Sequence, residues 1–176
     1  LACRTRGLVP LHAGCVGRRG VGALLVGASG AGKSTLALHA MSQGLEFLTE
    51  DASFVAPLTL QATGVANYLH LRFDALRWID DAALRARIAD APVIRRRSGV
   101  EKHELDLRGG WAALATQPLH LEHLVFAAAE SASDGELLRP LNADELIERL
   151  HISQPYAAGQ PGWSTFIEGC SALHGW

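Results

Sequence analysis

The sequence predicts an α/β fold, and three observations within its first third carry that expectation. Residues 21–26 (VGALLV) form a short, nearly all-apolar run, as a strand buried on both faces requires. A glycine-rich segment follows, and then Leu36, Ala37, Ala40 and Met41 recur at helical spacing across residues 33–42. Gly44 is a natural stop for that helix. Leu45, Phe47 and Leu48 form another short strand, which ends at Glu50-Asp51. Residues 21–51 therefore read as strand, loop, helix, strand, a βαβ unit with a parallel pair.

The flanking elements follow from the same rules. Residues 8–16 are strand-like with glycine breaks, and Arg18-Arg19-Gly20 reads as a turn. Residues 54–60 read as one antiparallel strand interrupted by Pro57. Short helices are expected over 73–78 and 82–88, and two strands over 93–97 and 101–107 around a Ser98-Gly99 turn. Residues 123–129 (HLVFAAA) read as a buried strand. Residues 142–150 (NADELIERL) read as a helix capped by Asn142, with Glu145 placed for a capping box. The tail contains Pro155 and Pro161 and a last helix over 163–173.

Composition bounds the rest. A chain of 176 residues, 48% hydrophobic and 19% charged, buries a substantial core, and residues 1–176 suit one domain rather than two. A net charge of −2 gives no general attraction for nucleic acid or for a membrane surface. No apolar run approaches the ~20 residues needed to cross a bilayer. The three cysteines, Cys3, Cys15 and Cys170, are odd in number and widely spaced. They form neither a disulfide framework nor a zinc ribbon, which points to the reducing cytoplasm. The first residues lack the order of a signal peptide. The chain starts abruptly and without Met, so a preceding segment is expected.

Only two of the 16 basic residues are lysines, and Lys33 sits in the strongest motif. Gly27-Ala28-Ser29-Gly30-Ala31-Gly32-Lys33-Ser34 matches G-x-x-x-x-G-K-[ST], with an apolar strand before it and an amphipathic helix after it. Glycines let the chain wrap tightly and turn successive N–H groups inward. Those groups and the helix N-terminus form a nest for phosphate. Lys33 adds a charge that reaches the β- and γ-phosphates of ATP, and the Ser34 hydroxyl is a hard ligand for Mg²⁺. Thr35 completes the nucleotide-contacting set, residues 27–35. The competing reading is a glycine-rich turn without a ligand.

Glu50 and Asp51 close the second strand, beside the loop. Adjacent residues of a strand point to opposite sides, so one carboxylate is available to the metal and the other to a proton. The competing reading is a solvated pair. His12 precedes the loop strand and is placed to orient Asp51 or tune its charge; a satisfied core or surface histidine is the alternative. Other phosphate-loop classes fit less well. There is no N-K-x-D guanine-reading motif and no LSGGQ-like signature, and the D-x-x-G match at Asp106-Leu107-Arg108-Gly109 is short enough to arise by chance.

These residues resemble the HPr serine kinase/phosphorylase family and its smaller HPr kinase-like relatives. The resemblance rests on His12-Ala13-Gly14, on VGALLVGASGAGKSTLALHAMSQG at 21–44 and on LEFLTED at 45–51. A weaker match follows at Leu138-Arg139-Pro140-Leu141, leading into Asn142-Ala143-Asp144-Glu145. It implies a fold like the phosphoenolpyruvate carboxykinase core, a mixed sheet flanked by helices. It implies ATP-dependent phosphorylation of a protein serine, with Lys33 and Ser34 on phosphates and Mg²⁺. Glu50 and Asp51 then share the metal and proton-handling roles, with His12 in support. Where the family has two aspartates this chain has Glu50 then Asp51, which leaves the division of roles open. The phosphorylase loop, E-x-R-G-x-G, has no match in residues 98–104, so neither phosphorylase activity nor HPr as substrate is expected.

Short relatives of this kind lie beside gene clusters for ribosomally made peptides, lasso peptides among them. The resemblance therefore implies a kinase for the C-terminal serine of a precursor peptide. Asp51 would take the hydroxyl proton, Glu50 or Ser34 would hold the metal, and Lys33 would stabilise the transferring group. Lys102 and His103 are candidates for phosphate or peptide recognition, and Arg95 to Arg97 for a carboxylate; exposed strand residues and a solvated face are the respective alternatives. A homo-oligomer is also implied, since the family often forms rings and the tail is apolar with Trp163 and Trp176. Two other functions use the same residues: a kinase for a small metabolite hydroxyl, and an ATP-sensing module that transfers nothing.

Overall fold

A computed structural model of the chain describes residues 7–128, 135 and 137–176. Cys3 and Ala129 lie outside the described residues. The first strands are β1 (Val9–Leu11), β2 (Gly14–Arg18) and β3 (Val21–Val26). β2 and β3 pair antiparallel across the two-residue turn Arg19-Gly20, with Arg18 opposite Val21. Both turn residues have positive φ, 54° and 84°, the backbone twist that matches a tight hairpin. The helix α1 (Lys33–Ser42) follows the glycine-rich loop, and β4 (Glu46–Thr49) returns the chain to the sheet.

The expected parallel pairing of β3 with β4 is corrected. β2 lies between them, antiparallel to both, so the two strands run the same way without touching. The parallel partner of β3 is β10 (Leu119–Phe126). The physical reason is local: a two-residue turn gives β3 a neighbour at little cost in loop entropy, and that neighbour occupies the edge β4 would have used. The strand expected over 54–60 is also corrected. It breaks after Ala56 into β5 (Ser53–Ala56) and β6 (Gln61–Thr63), joined by a turn in which Leu60 has φ 52°. The large sheet runs β1-β5-β6-β10-β3-β2-β4, and β11 (His174–Gly175) pairs parallel with β10.

A second, three-stranded antiparallel sheet is ordered β7-β9-β8, from β7 (Tyr68–Leu71), β8 (Val93–Arg95) and β9 (Glu101–Asp106). Between β7 and β8 lie a 3₁₀ turn (Phe73–Trp78) and α2 (Ala82–Ala89). After β10 come α3 (Ala143–Ser153) and α4 (Trp163–Cys170). Asn142 caps α3 and Glu145 reaches back to the Asn142 N–H, the expected capping box. The last helix stops at Cys170, short of the expected 173. β10 begins at Leu119, four residues before the apolar run that signalled it. There Leu119 and Leu121 are buried and His120 and Glu122 exposed, an alternation that hides a strand from a search for continuous apolarity.

Two cores cover the two faces of the large sheet, and strand alternation sorts residues between them. Cys15, Leu24, Val26 and Leu48 pack with Leu146, Leu150, Trp163 and Phe166 of α3 and α4. Their neighbours Val16, Leu25 and Phe47 pack with Leu38 and Met41 of α1, Ile88 of α2, and Leu69, Leu71 and Leu105 of the small sheet. The result is a mixed sheet flanked by helices, as expected. Cys15 and Cys170 are free and buried, and burial pushes both thiols up to about 12. Among the described residues no helix is long and apolar enough to cross a membrane.

Phe166 is fully buried under the sheet. Phe166→Ala is expected to lower stability by about 3–5 kcal/mol in denaturant unfolding. An unchanged midpoint would mean that α4 is not part of this core.

Candidate active site

The site lies where the C-terminal ends of β3 and β4 meet the start of α1. β3 delivers the loop at residues 27–32, and α1 begins at Lys33 from Gly32, whose φ of 97° only glycine adopts without strain. Among residues 28–32 only the Ala31 N–H donates to a described backbone carbonyl, that of Ala28 at 3.2 Å. Ala28, Ser29 and Gly30 are exposed at the tip. β2 intervenes between β3 and β4, yet it begins with Gly14 and so presents no side chain. A Cβ at that position would lie 2.9 Å from the Glu50 carbonyl oxygen. This gap lets α1 and the end of β4 meet across the intervening strand.

Lys33 is buried, and its ammonium folds back over the loop, donating to the carbonyl oxygens of Gly27 at 2.7 Å and Ala28 at 3.1 Å. Burial pulls its pKa below the ordinary lysine range; the charge of Lys102 adds to that, while Asp51 and Glu50 oppose it. The Ser34 hydroxyl donates to Glu50 Oε1 at 2.8 Å. Glu50 is itself buried, so its charge needs partners. Oε2 accepts from the His70 backbone N–H at 3.1 Å and lies 2.5 Å from His70 Nδ1. His70 Nε2 lies 3.0 Å from Glu104 Oε2. Lys102 Nζ stands 3.9 Å from Glu50 Oε1.

His70 sits in β7 directly opposite Glu104 in β9, so the small sheet's register sets up a carboxylate–imidazole–carboxylate chain that ends at Glu50 beside Ser34. The Glu50 hydrogen bond raises the His70 pKa, against the effect of burial. An imidazolium donates from both ring nitrogens and so satisfies both acids at once.

Asp51, next along, points outward. His12 Nε2 lies 3.6 Å from Asp51 Oδ1, an ion-pair distance rather than a hydrogen bond. The His12 backbone is clamped by the buried side-chain amide of Gln154, which follows α3. Its Oε1 accepts from the His12 N–H at 2.8 Å and its Nε2 donates to the His12 carbonyl at 3.1 Å. The structure thus brings Ser34 and Glu50 into contact, turns the Lys33 ammonium back onto the loop, and places Asp51 and His12 together at the opening; Thr35 lies in the first turn of α1.

The oxygens of Ser34, Glu50 and Asp51 are the hard donors that Mg²⁺ prefers. Among the described residues no group of three or more His, Cys, Asp or Glu side chains is arranged to hold a metal. A hydroxyl and two carboxylates fit Mg²⁺ by their chemistry, since that ion takes one or two carboxylates and completes its shell with phosphate oxygens and water.

Other sequence candidates fall on either side of the line. Strand alternation turns Lys102 and Glu104 toward the site and buries His103 on the opposite face, edge-on to Phe73 at 4.5 Å. Arg95 to Arg97 are exposed at the β8 end of the small sheet. The D-x-x-G match is structural: Arg108 forms a 2.6 Å bond to Asp106 and another of 2.6 Å to the Tyr68 hydroxyl. Arg108 holds the Asp106 carboxyl down at about 2. Sequence reading missed His70, Glu104 and Gln154. The alternation of Tyr68-Leu69-His70-Leu71 was the available signal for the first; strand pairing, which no local pattern encodes, supplies Glu104, and the packing of α3 under the first strands supplies Gln154.

His70→Ala leaves Glu50 buried with fewer partners and is expected to cost about 3 kcal/mol near pH 6. Because the folded pKa of His70 is raised, its stabilisation is complete below the ordinary histidine value of about 6.5 and declines as pH rises through the folded value. The stability gap between wild type and His70→Ala should narrow from pH 6 to pH 9 in urea titrations. A gap that widens with pH contradicts the assignment.

No protein-family model matches the sequence, and no curated protein matches it. Among solved structures the chain is similar to the Hpr(Ser) kinase/phosphatase from Coxiella burnetii, at 16% identity and a TM-score of 0.38, over 75% of this chain and 70% of that one.

Proposed function

We propose that the chain is an ATP-dependent phosphotransferase that moves the γ-phosphoryl group to a serine hydroxyl of a peptide or protein. The observation that carries the reading is the 2.8 Å bond from Ser34, the last residue of the phosphate-loop motif, to the buried Glu50, with Asp51 as the next residue facing the opening. The loop amides of residues 28–34 that no backbone carbonyl takes, together with the Lys33 ammonium, bind the phosphates. Ser34 and Glu50 would hold Mg²⁺, which would supply positive charge against the phosphates. Asp51 accepts the proton of the attacking hydroxyl as the new O–P bond forms and ADP departs. His12 keeps Asp51 in place. Such chemistry depends on positioning and electrostatics, which this set supplies.

The opening favours a peptide over a small metabolite. The side chains of His12 and Asp51 are 56% and 53% exposed, so the proton acceptor stands on an open surface rather than in a closed pocket. With the resemblance of residues 12–51 to the small HPr kinase-like group, this supports the C-terminal serine of a ribosomally made precursor peptide, of the lasso type, as the acceptor.

Incubation with ATP·Mg²⁺ and candidate peptides, read by intact mass, should add one phosphoryl group to a serine. Asp51→Asn is expected to lower kcat by about 10²–10⁴-fold with ATP uptake retained, and Lys33→Ala to lose ATP uptake. Transfer to a metabolite alone supports the small-molecule reading, and nucleotide binding without any transfer supports a sensor.

A further inference from the structure

The chain has only two lysines: one adjoins the serine that bonds Glu50, and the other stands 3.9 Å from the same carboxylate. Lys33 arrives from the phosphate loop. Lys102 arrives from β9 of the small sheet, beyond Glu50 in the sequence. We infer that Lys102 is a second phosphate-binding cation of this site, placed to contact the terminal phosphoryl group of a bound nucleoside triphosphate. The inference rests on the phosphotransferase reading and assigns a further residue to it.

Three observations carry it. First, Lys102 Nζ stands 3.9 Å from Glu50 Oε1, the same oxygen that accepts the Ser34 hydroxyl. Lys102 and the motif serine therefore converge on one atom. At that distance the ammonium is close enough to feel the carboxylate but makes no hydrogen bond to it, so its three donors remain available.

Second, Glu50 does not need Lys102. Its Oε2 is already taken by the ring and backbone of His70, and its Oε1 by Ser34. A side chain that only completed a buried ion pair would sit on the carboxylate; Lys102 stands off from it and stays partly open to solvent, at 23% exposure.

Third, the neighbouring acids are engaged elsewhere: Asp51 faces His12, and Glu104 faces His70. Among the described residues the Lys102 ammonium therefore has no acid of its own at hydrogen-bond distance. A partly buried cation in that position suits an added anion, and the terminal phosphate of a bound polyphosphate supplies one. Lys33 covers the loop side, and Lys102 approaches from the small sheet.

The register of that sheet explains how Lys102 is aimed. Lys102 and Glu104 lie on one face of β9, and Glu104 is locked through His70 to Glu50. The chain of bonds docks β9 against the phosphate site and sets the origin of the Lys102 side chain. Lys102 would then oppose the charge that develops on the transferring group, the place where one donor is worth about 10²–10³ in kcat.

The test compares wild type, Lys102→Met and Lys102→Arg by calorimetric titration with ADP·Mg²⁺ and with a non-hydrolysable ATP analogue and Mg²⁺. Lys102→Met should weaken the triphosphate analogue by about tenfold, as for loss of one charge-assisted contact, and leave ADP unchanged. Lys102→Arg should recover most of the difference. Equal weakening of both nucleotides by Lys102→Met, or no change in either, overturns the inference and leaves the phosphotransferase reading in place. Wild type that takes up neither nucleotide overturns both.

Discussion

A carboxylate buried at the end of β4 organises this molecule. Glu50 sits largely out of water, and an ion in that position is tolerated only when its oxygens are occupied. Ser34 from α1 and His70 from β7 meet that demand, and Lys102 from β9 stands 3.9 Å off the same carboxylate. None of the three is near Glu50 in sequence. The phosphate loop, the large sheet and the small sheet are joined at a single side chain, so the requirement to satisfy one charge also assembles the site.

This arrangement separates two carboxylates that the sequence leaves equivalent. Glu50 turns inward and is held by neutral and cationic donors. Asp51 turns outward beside His12, whose own backbone is clamped by Gln154 from the far core. The inner acid is suited to hold position and charge, the outer one to meet a partner from solution. A one-residue step along the chain divides the two environments because successive side chains at a strand end face opposite ways.

The local parts of the fold were legible. The loop strand, α1 and the capping box of α3 each follow from a pattern contained in fewer than about a dozen residues, and they fall where those patterns place them. Pairings were not legible. The hairpin that inserts β2 between β3 and β4 competes with the βαβ reading, and its advantage lies in loop entropy rather than in any motif. The site divides the same way. Lys33, Ser34, Glu50, Asp51 and His12 stand in one stretch with a recognisable spacing. His70 and Glu104 become partners only through the β7–β9 register, and Gln154 only because α3 packs under the first strands. Lys102 was visible as a rare residue in a strand, but its neighbour His103 was equally visible, and only burial tells them apart.

The central claim is that the loop at 27–34 holds a triphosphate whose terminal group faces Asp51. A crystal structure with a non-hydrolysable ATP analogue and Mg²⁺ tests it most directly. The account predicts phosphate oxygens within hydrogen-bond distance of Lys33 Nζ and of the loop amides, with the terminal phosphate facing the Asp51 carboxylate. A nucleotide bound elsewhere, or one whose terminal phosphate points away from Asp51, would contradict it.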